Sequence, residues 1–208
     1  KKINTEEDVQ DNQINIKEVF FNSQFNFGES NKELSTLGTL SLKKAVEDIK
    51  EHKIDILVTA PINKQLSYST SFKYSGHTDF LKDYFNADPL MLMISGELRI
   101  ALLTDHIPLK NVLDFINKDI VEKKIKVLEK CLVNDFKINK PKIAVLAINP
   151  HAGDNGLIGN EDELIIKPVI NSFKGNKSTV YGPFSADTFF TNENYKKYDA
   201  IIAAYHDQ

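Results

Sequence analysis

Residues 143–151 read Ile143-Ala144-Val145-Leu146-Ala147-Ile148-Asn149-Pro150-His151, and they carry most of the information on the fold. The apolar run 143–148 contains β-branched residues and is bounded by prolines, which predicts a buried strand. His151 therefore follows directly after a strand end. The glycine-containing stretch 152–159 then predicts an irregular loop, followed by an acidic helix start at Asn160-Glu161-Asp162-Glu163. Loops of this kind on a rigid sheet commonly carry function.

Two further apolar runs end in the same way. Residues 98–104 lead into Asp105-His106, and residues 199–204 lead into Tyr205-His206. In open α/β sheets ligands bind at the carboxyl ends of the strands, so side chains from different strands converge there. Neutral imidazole binds Zn²⁺ and similar ions, and three protein ligands leave coordination positions open for a substrate. We therefore predict a metal site formed by His106, His151 and His206.

The alternative is that these histidines are structural, as single histidines in globular proteins usually are. No short ligand motif such as His-Glu-x-x-His is present, so local spacing does not decide between the two interpretations. His52 lies on a polar helix face and is predicted to be solvent-exposed without a role.

Helix and strand patterns alternate along the chain. Apolar spacing predicts helices over residues 35–52 and 117–136, and residues 53–59 have the pattern of a strand. Two apolar runs separated by Gly96-Glu97 predict a β-hairpin, which makes the sheet mixed. The predicted fold class is therefore α/β, with a mostly parallel, mixed sheet flanked by helices.

The composition excludes several classes of protein. Among 208 residues, 41% are hydrophobic and 26% are charged, which is typical of a soluble globular protein. The net charge of -3 and the scattered lysines argue against nucleic acid as a partner. No apolar run approaches the roughly 18 residues of a membrane span. The single cysteine, Cys131, excludes an intrachain disulfide and favours a cytoplasmic location.

Other polar residues are candidates for substrate contacts. Lys64 and the turn Gly76-His77-Thr78 combine a cation, an imidazole and a hydroxyl near a predicted helix start, which suits an anionic group. A surface lysine beside a helix cap explains the same residues. Asp187 lies in a polar loop after a predicted strand. Asp207 either orients the His206 imidazole or caps the next element.

Six motifs in this order resemble the 4-hydroxythreonine-4-phosphate dehydrogenase family of vitamin B6 (pyridoxal phosphate) synthesis, over nearly everything from about residue 28 onward. They are Thr59-Ala60-Pro61-Ile62-Asn63-Lys64, Gly76-His77-Thr78-Asp79-Phe80, Thr104-Asp105-His106-Ile107-Pro108-Leu109, Asn149-Pro150-His151-Ala152-Gly153, Gly182-Pro183-Phe184-Ser185-Ala186-Asp187-Thr188 and Tyr205-His206-Asp207-Gln208.

The resemblance implies an isocitrate/isopropylmalate dehydrogenase-like fold and a homodimer with its active site at the subunit interface. It implies NAD- or NADP-dependent oxidation of 4-phosphooxy-L-threonine, a small phosphorylated hydroxy-amino acid, followed by decarboxylation to 3-amino-1-hydroxyacetone 1-phosphate. The family's three metal ligands fall on His106, His151 and His206, for Zn, Mg or Co. Its substrate-binding pair falls on His77 and Thr78, with Lys64, Asp187 and Asp207 as further substrate or supporting positions.

The chain also departs from the family pattern. The segment Gly-Asp-Pro-x-Gly-Ile-Gly-Pro-Glu is absent, and the family continues beyond Tyr205-His206-Asp207-Gln208, where further substrate and nucleotide contacts lie. Asp79 and Asp105 stand where Glu and Thr are more usual. We therefore expect residues 1–208 to be one α/β fragment of a two-lobed enzyme, lacking N-terminal and C-terminal parts.

Three other functions remain open. Paralogues that oxidise threonate or erythronate 4-phosphate share these motifs. A metal-dependent hydrolase or lyase uses similar imidazoles without a nicotinamide, and a non-catalytic phosphate-binding module needs only the anion contacts.

Overall fold

The central feature of the fold is a five-stranded mixed sheet. In the computed structural model, the described residues are 1–20, 26, 28, 31–68, 72–175 and 179–208. The chain divides into two compact units, Lys1–Pro89 and Leu90–Gln208. The sheet belongs to the second unit.

The first unit is mainly helical. Its elements are β1 (Lys2–Ile3), β2 (Ile16–Lys17), α1 (Lys32–Lys50), α2 (Lys64–Ser67) and α3 (His77–Phe85), with a 3-10 turn at Glu6–Asp8. Helix α1 begins where the side chain of Asn31 accepts a hydrogen bond from the backbone N–H of Leu34, which satisfies a donor at the helix start. The apolar core of the unit contains Leu42, Val46, Phe72 and Phe80.

The strand predicted over residues 53–59 is wrong: this segment forms no strand in the structure. Leu57 packs against the core of the first unit, whereas Ile56 and Val58 are 79% and 89% exposed. Leu57 is the only half-buried residue of this segment, and a strand also requires backbone pairing with a neighbour. Within the described part of the first unit, the only paired strands are β1 and β2.

The second unit contains the sheet and the helices that cover it. Its strands are β3 (Leu92–Ser95), β4 (Leu98–Leu102), β5 (Lys142–Leu146), β6 (Thr179–Phe184) and β7 (Ala200–Ala203), and its α-helices are α4 (Val112–Phe115), α5 (Lys118–Asn134), α6 (Lys167–Ser172) and α7 (Ala186–Phe189). There are 3-10 segments at Leu109–Asn111, Pro150–Gly156 and Thr191–Lys197, and a π-helix at Asp162–Ile166.

The strand order is β3-β4-β7-β5-β6. Strands β3 and β4 form the predicted antiparallel hairpin, while β4, β7, β5 and β6 are parallel to one another. The predicted α/β class with a mixed, mostly parallel sheet is confirmed. The long helix predicted over residues 117–136 is also confirmed as α5, which Asn117 caps.

The central strands β5 and β7 are buried on both faces of the sheet. Alternate residues of the central strands, such as Val145 and Ile202, contact the face covered by α5, the π-helix and α6. Their neighbours, such as Ala144 and Ile201, face Phe189 of α7. Strands buried on both faces read as continuous apolar runs, which explains why the sequence pattern was so clear here. No helix among the described residues is long and apolar enough to cross a membrane.

Candidate active site at the strand ends

The three histidine-bearing strand ends lie side by side. Because β4, β7 and β5 are adjacent and parallel, their carboxyl ends share one edge of the sheet. His106 follows β4, His206 follows β7 and His151 follows β5. All three histidines are exposed. The topology therefore brings together residues that are far apart in the sequence.

Two of the imidazole rings are close neighbours. The ring centroids of His106 and His206 lie 5.9 Å apart. Since Zn–N bonds are about 2.1 Å, a metal lies roughly 3.2 Å from the centre of an imidazole ring, so two rings on one ion have centres at most about 6.4 Å apart. Two ligands at a tetrahedral angle would have ring centres about 5.2 Å apart, so the rings of His106 and His206 lie within this limit but slightly farther apart than in a tetrahedral site.

His151 lies in an unusual left-handed turn after β5. The consecutive residues His151, Ala152, Gly153, Asp154 and Asn155 all have positive φ, with His151 at 52°. Such backbone is costly for residues other than glycine and clusters at functional sites. Among the described residues, no group of three or more His, Cys, Asp or Glu side chains is placed to hold a metal ion. The roles of His106, His151 and His206 as ligands of one ion therefore stay predictions.

A buried carboxylate holds the base of this turn. Asp162 is fully buried, and its carboxylate accepts hydrogen bonds from the backbone N–H groups of Ile148 (2.8 Å) and Asn149 (3.0 Å). The side-chain amide of Asn149 donates to Asp162 and to Glu161, and the latter bond is the main reason that the pKa of the Glu161 carboxyl lies below its ordinary value. Asp162 also begins the π-helix, a feature often found at functional sites.

Sequence reasoning missed this role of Asp162. The acidic stretch 160–163 was interpreted only as a helix start, where carboxylates favour the helix dipole. The available signal was its position, since an acid shortly after a glycine loop can reach back to the backbone before the loop.

Asp207 contacts the His206 ring. Its Oδ1 lies 3.2 Å from Nδ1 of His206, with the donor set by the tautomer of the ring. A carboxylate on Nδ1 leaves Nε2 directed to a ligand, as in many metal sites.

Asp187 lies in the first turn of α7, after β6, and is exposed. Its Oδ1 accepts a hydrogen bond from the N–H of Thr188 at 2.9 Å. The structure thus shows a local helix-start role for Asp187, and its role in substrate binding stays a prediction.

The anion-binding candidates lie together in the first unit. Helix α3 begins at His77, and Gly76 at its N-cap contributes no side chain. The Lys64 side chain lies beside Gly76. Its Cε is 3.6 Å from the position that a Cβ on Gly76 would occupy. Lys64 thus lies beside the helix start that carries His77 and Thr78. A cation beside the N–H groups of a helix start suits a phosphate or carboxylate.

A cavity of about 220 Å³ lies at the other end of the sheet. Arg99 and Asp199, at the starts of β4 and β7, are among its lining residues. It is therefore separated from the histidine edge by the length of the strands.

Comparisons with known proteins agree with the resemblance noted from the motifs. The sequence profile of the family described as pyridoxal phosphate biosynthetic protein PdxA matches residues 1–208. A 4-hydroxythreonine-4-phosphate dehydrogenase from Bacteroides thetaiotaomicron is 38% identical over 184 residues, which are 88% of this chain and 50% of that protein. The enzyme of the same name from Sulfurihydrogenibium sp. is 41% identical over 183 residues, 88% of this chain and 56% of that protein.

The crystal structure of 4-hydroxythreonine-4-phosphate dehydrogenase from Klebsiella pneumoniae is also similar, with a TM-score of 0.86 and 27% identity. The match covers 100% of this chain and 64% of that one. The predicted isocitrate/isopropylmalate dehydrogenase-like fold is thereby confirmed. The chain spans about half the length of the curated relatives it matches.

Proposed function

Because the chain belongs to the PdxA family of pyridoxal phosphate biosynthetic proteins, we propose that it forms part of a metal-dependent, NAD(P)-linked 4-hydroxythreonine-4-phosphate dehydrogenase. The observation that carries the proposal is the 5.9 Å spacing of the His106 and His206 rings at adjacent, parallel strand ends. His151 follows the next strand along the same edge.

The proposed reaction is the oxidation of the secondary hydroxyl of 4-phosphooxy-L-threonine. The carbon loses a hydride and the hydroxyl a proton, so NAD(P)⁺ becomes NAD(P)H and the product is 2-amino-3-oxo-4-phosphooxybutanoate. Loss of CO₂ from this 3-oxo acid gives 3-amino-1-hydroxyacetone 1-phosphate. When bound, the divalent ion supplies Lewis-acid stabilisation of negative charge on the reacting oxygen, and the nicotinamide accepts the hydride.

His106, His151 and His206 are the proposed ligands of that ion. Imidazole donors suit Zn²⁺ and other borderline ions better than Mg²⁺, so among Zn, Co and Mg we expect one of the first two to bind more tightly. Asp207 supports the site by holding Nδ1 of His206, which fixes the orientation of the ring.

His77 and Thr78, with Lys64, are proposed to hold the anionic groups of the substrate. Their placement beside the start of α3 supports this role. Asp187 is a further proposed substrate contact. In keeping with the family resemblance, we propose a cytoplasmic homodimer with its active site at the subunit interface.

The experiment that tests the proposal follows NADH and NADPH formation by the full-length protein. 4-Phosphooxy-L-threonine is supplied with each nucleotide after metal removal and after re-addition of Zn²⁺, Co²⁺ or Mg²⁺. We expect turnover that depends on metal and on nucleotide. Threonate 4-phosphate and erythronate 4-phosphate, supplied in parallel, identify the paralogous activities.

The decisive variant is His151→Asn, because asparagine tolerates the left-handed backbone at this position. It should lose metal-dependent turnover and remain folded. The matched control is His52→Asn, since His52 is exposed and also has a positive φ of 58°. Phosphate release without NAD(P)H formation would instead indicate a hydrolase or lyase, and phosphate binding without turnover would indicate a binding module.

A further inference from the structure

The regular pairing of β5 with β7 stops before the histidine loops. Its last paired residues are Val145 and Ile202. Beyond them, Ala147 and Ala204 are 1% and 0% exposed. A buried peptide group that lacks a hydrogen-bond partner is costly, so the carbonyl of Ala147 and the N–H of Ala204 need partners from elsewhere.

The side chain of Gln208 provides both partners. Its Nε2 donates to the carbonyl of Ala147 at 2.6 Å, and its Oε1 accepts from the N–H of Ala204 at 2.6 Å. A carboxamide presents a donor and an acceptor together, as a peptide group does. Gln208 therefore connects β5 and β7 beyond their last paired residues, with hydrogen bonds that a neighbouring strand would otherwise provide.

Thr104 extends this connection to β4. Its hydroxyl donates to the carbonyl of Ala204 at 2.7 Å, and its backbone N–H donates to the same oxygen at 3.2 Å. Thr104 is 4% exposed, so the hydroxyl has little access to water as an alternative partner. The N–H and C=O of Ala204, which follows β7, are thus linked to the end of β5 through Gln208 and to the end of β4 through Thr104.

We propose that Gln208 is a positioning residue, which sets the separation between the His206 end of β7 and the His151 end of β5. Thr104 does the same for the His106 and His206 ends of β4 and β7. The importance of this network for metal binding rests on the proposed function. Its geometric role does not, because the hydrogen bonds exist among residues of this chain alone.

The β5–β7 junction should therefore respond to a change at Gln208, and the β4–β7 junction to a change at Thr104. Glutamate at position 208 retains an acceptor for the N–H of Ala204 but places a carboxylate oxygen against the carbonyl of Ala147, so β5 and β7 should separate. Thr104→Val replaces the hydroxyl with a methyl group, so its hydrogen bond to the carbonyl of Ala204 is lost and the junction between β4 and β7 should weaken. Changes to residues that support metal ligands typically lower metal affinity by about 10- to 100-fold.

The test uses Gln208→Glu and Thr104→Val in the full-length protein, with Gln13→Glu as a control for the same chemical change at an exposed glutamine. The ring carbon–proton NMR signals of the five histidines are recorded without metal. Zn²⁺ affinity is then measured by titration calorimetry. Both are recorded at a temperature where each variant is folded by circular dichroism.

We expect Gln208→Glu to shift the signals of His206 and His151 most, to shift His106 less through its neighbouring ring, and to leave His52 and His77 unchanged. Thr104→Val should shift His106 and His206 but not His151. Both variants should bind Zn²⁺ about 10- to 100-fold more weakly than the control. This complementary pattern distinguishes positioning from general destabilisation, which has no reason to select different pairs of histidines.

Unchanged histidine signals in both folded variants, or equal shifts at all five histidines, would overturn the proposal. If Gln208→Glu does not fold, Gln208→Asn replaces it; the shorter carboxamide cannot span both contacts, so it should shift the same two histidines. If the unmodified protein binds no Zn²⁺ but the NMR pattern holds, the positioning role stands and the proposed metal dependence fails.

Discussion

The imidazole rings of His106 and His206 lie 5.9 Å apart between centroids, at the ends of two strands that pair directly with each other. The register places Leu102 opposite Ala203, so each histidine follows its strand at nearly the same height above the sheet. Strand pairing therefore places the two histidine-bearing segments side by side. Donors that the fold already brings together favour metal binding, because less ordering is required.

Replacing either histidine of this pair should weaken metal binding strongly. We expect His106→Ala and His206→Ala each to lower Zn²⁺ or Co²⁺ affinity by more than about 100-fold, because loss of a direct ligand exceeds the effect of a supporting residue. Titration calorimetry measures the affinity, and the visible spectrum of Co²⁺ reports the change in ligand set. Metal affinity equal to that of His52→Asn in both variants would exclude the pair as ligands.

Asp162→Asn should destabilise the second unit. One carboxylate oxygen becomes an amide donor that faces backbone N–H groups, which removes a charged acceptor from Ile148 or Asn149. Hydrogen bonds to charged groups contribute about 1.5–3 kcal/mol each, so we expect a loss of about 2–3 kcal/mol in the free energy of unfolding. Urea denaturation measures the change.

Asp114→Asn is the control for this prediction, since Asp114 is exposed at the start of α4. It should change the free energy of unfolding by less than about 0.5 kcal/mol. Equal effects of the two substitutions would show that the Asp162 carboxylate does not stabilise the loop before His151.

Much of the second unit was predictable because its local patterns and its tertiary environment agree. The buried strand Lys142–Leu146 is apolar on both faces, and α5 carries an apolar stripe together with a capping asparagine. Gly96-Glu97 marks the turn of the β3–β4 hairpin. In each case, the segment's own residues determine which side is buried.

Residues 53–59 show where such reasoning fails. Their β-branched, apolar residues are compatible with a strand, but a strand forms only when a neighbouring backbone is available for pairing. The sequence of one segment contains no information on that partner. Because this segment has no paired neighbour among the described residues, the side chains of Ile56 and Val58 are exposed to solvent.

The supporting residues of the site were unpredictable for a related reason. The histidines were identified because each follows an apolar run, which is a local signal. Thr104 and Gln208 act through hydrogen bonds to Ala204 and Ala147, and those contacts arise only from the strand order β4-β7-β5. Side-chain identity alone does not reveal which buried backbone group needs a partner.

Gly153→Ala should destabilise the histidine loop more than an ordinary glycine substitution does. Gly153 has a φ of 79°, and a Cβ there would overlap the carbonyl oxygen of Gly159. Gly96→Ala is the matched control, because Gly96 also has a positive φ (58°) but has open space around it. Left-handed backbone costs a residue other than glycine about 1–2 kcal/mol, so we expect that loss for the control and a larger one for Gly153→Ala.

The comparison of these two variants separates backbone strain from steric overlap. Urea denaturation gives the free energy of unfolding of each. A loss at Gly153 no greater than that at Gly96 would mean that the loop moves to accept the methyl group, and that the close approach to Gly159 is not required.

The thiol of Cys131 should react slowly in the folded protein. Burial, followed by the neighbouring Asp135, raises its pKa from 9.0 to about 11. Both effects disfavour the thiolate, which is the reactive form, so near neutral pH the thiolate fraction is about 100-fold below that of a thiol with the unshifted pKa. The rate of alkylation by iodoacetamide should therefore rise about tenfold per pH unit through pH 9 and level off only near the raised pKa.

Two comparisons check this prediction, and both use the fact that Cys131 is the only cysteine. Unfolding in urea should restore the rate of an ordinary thiol at the same pH. Asp135→Asn should increase the rate in the folded protein only in part, because the larger cause, burial, remains. Alkylation of the folded protein at neutral pH as fast as that of the unfolded chain would contradict the burial that the structure shows for the Cys131 thiol.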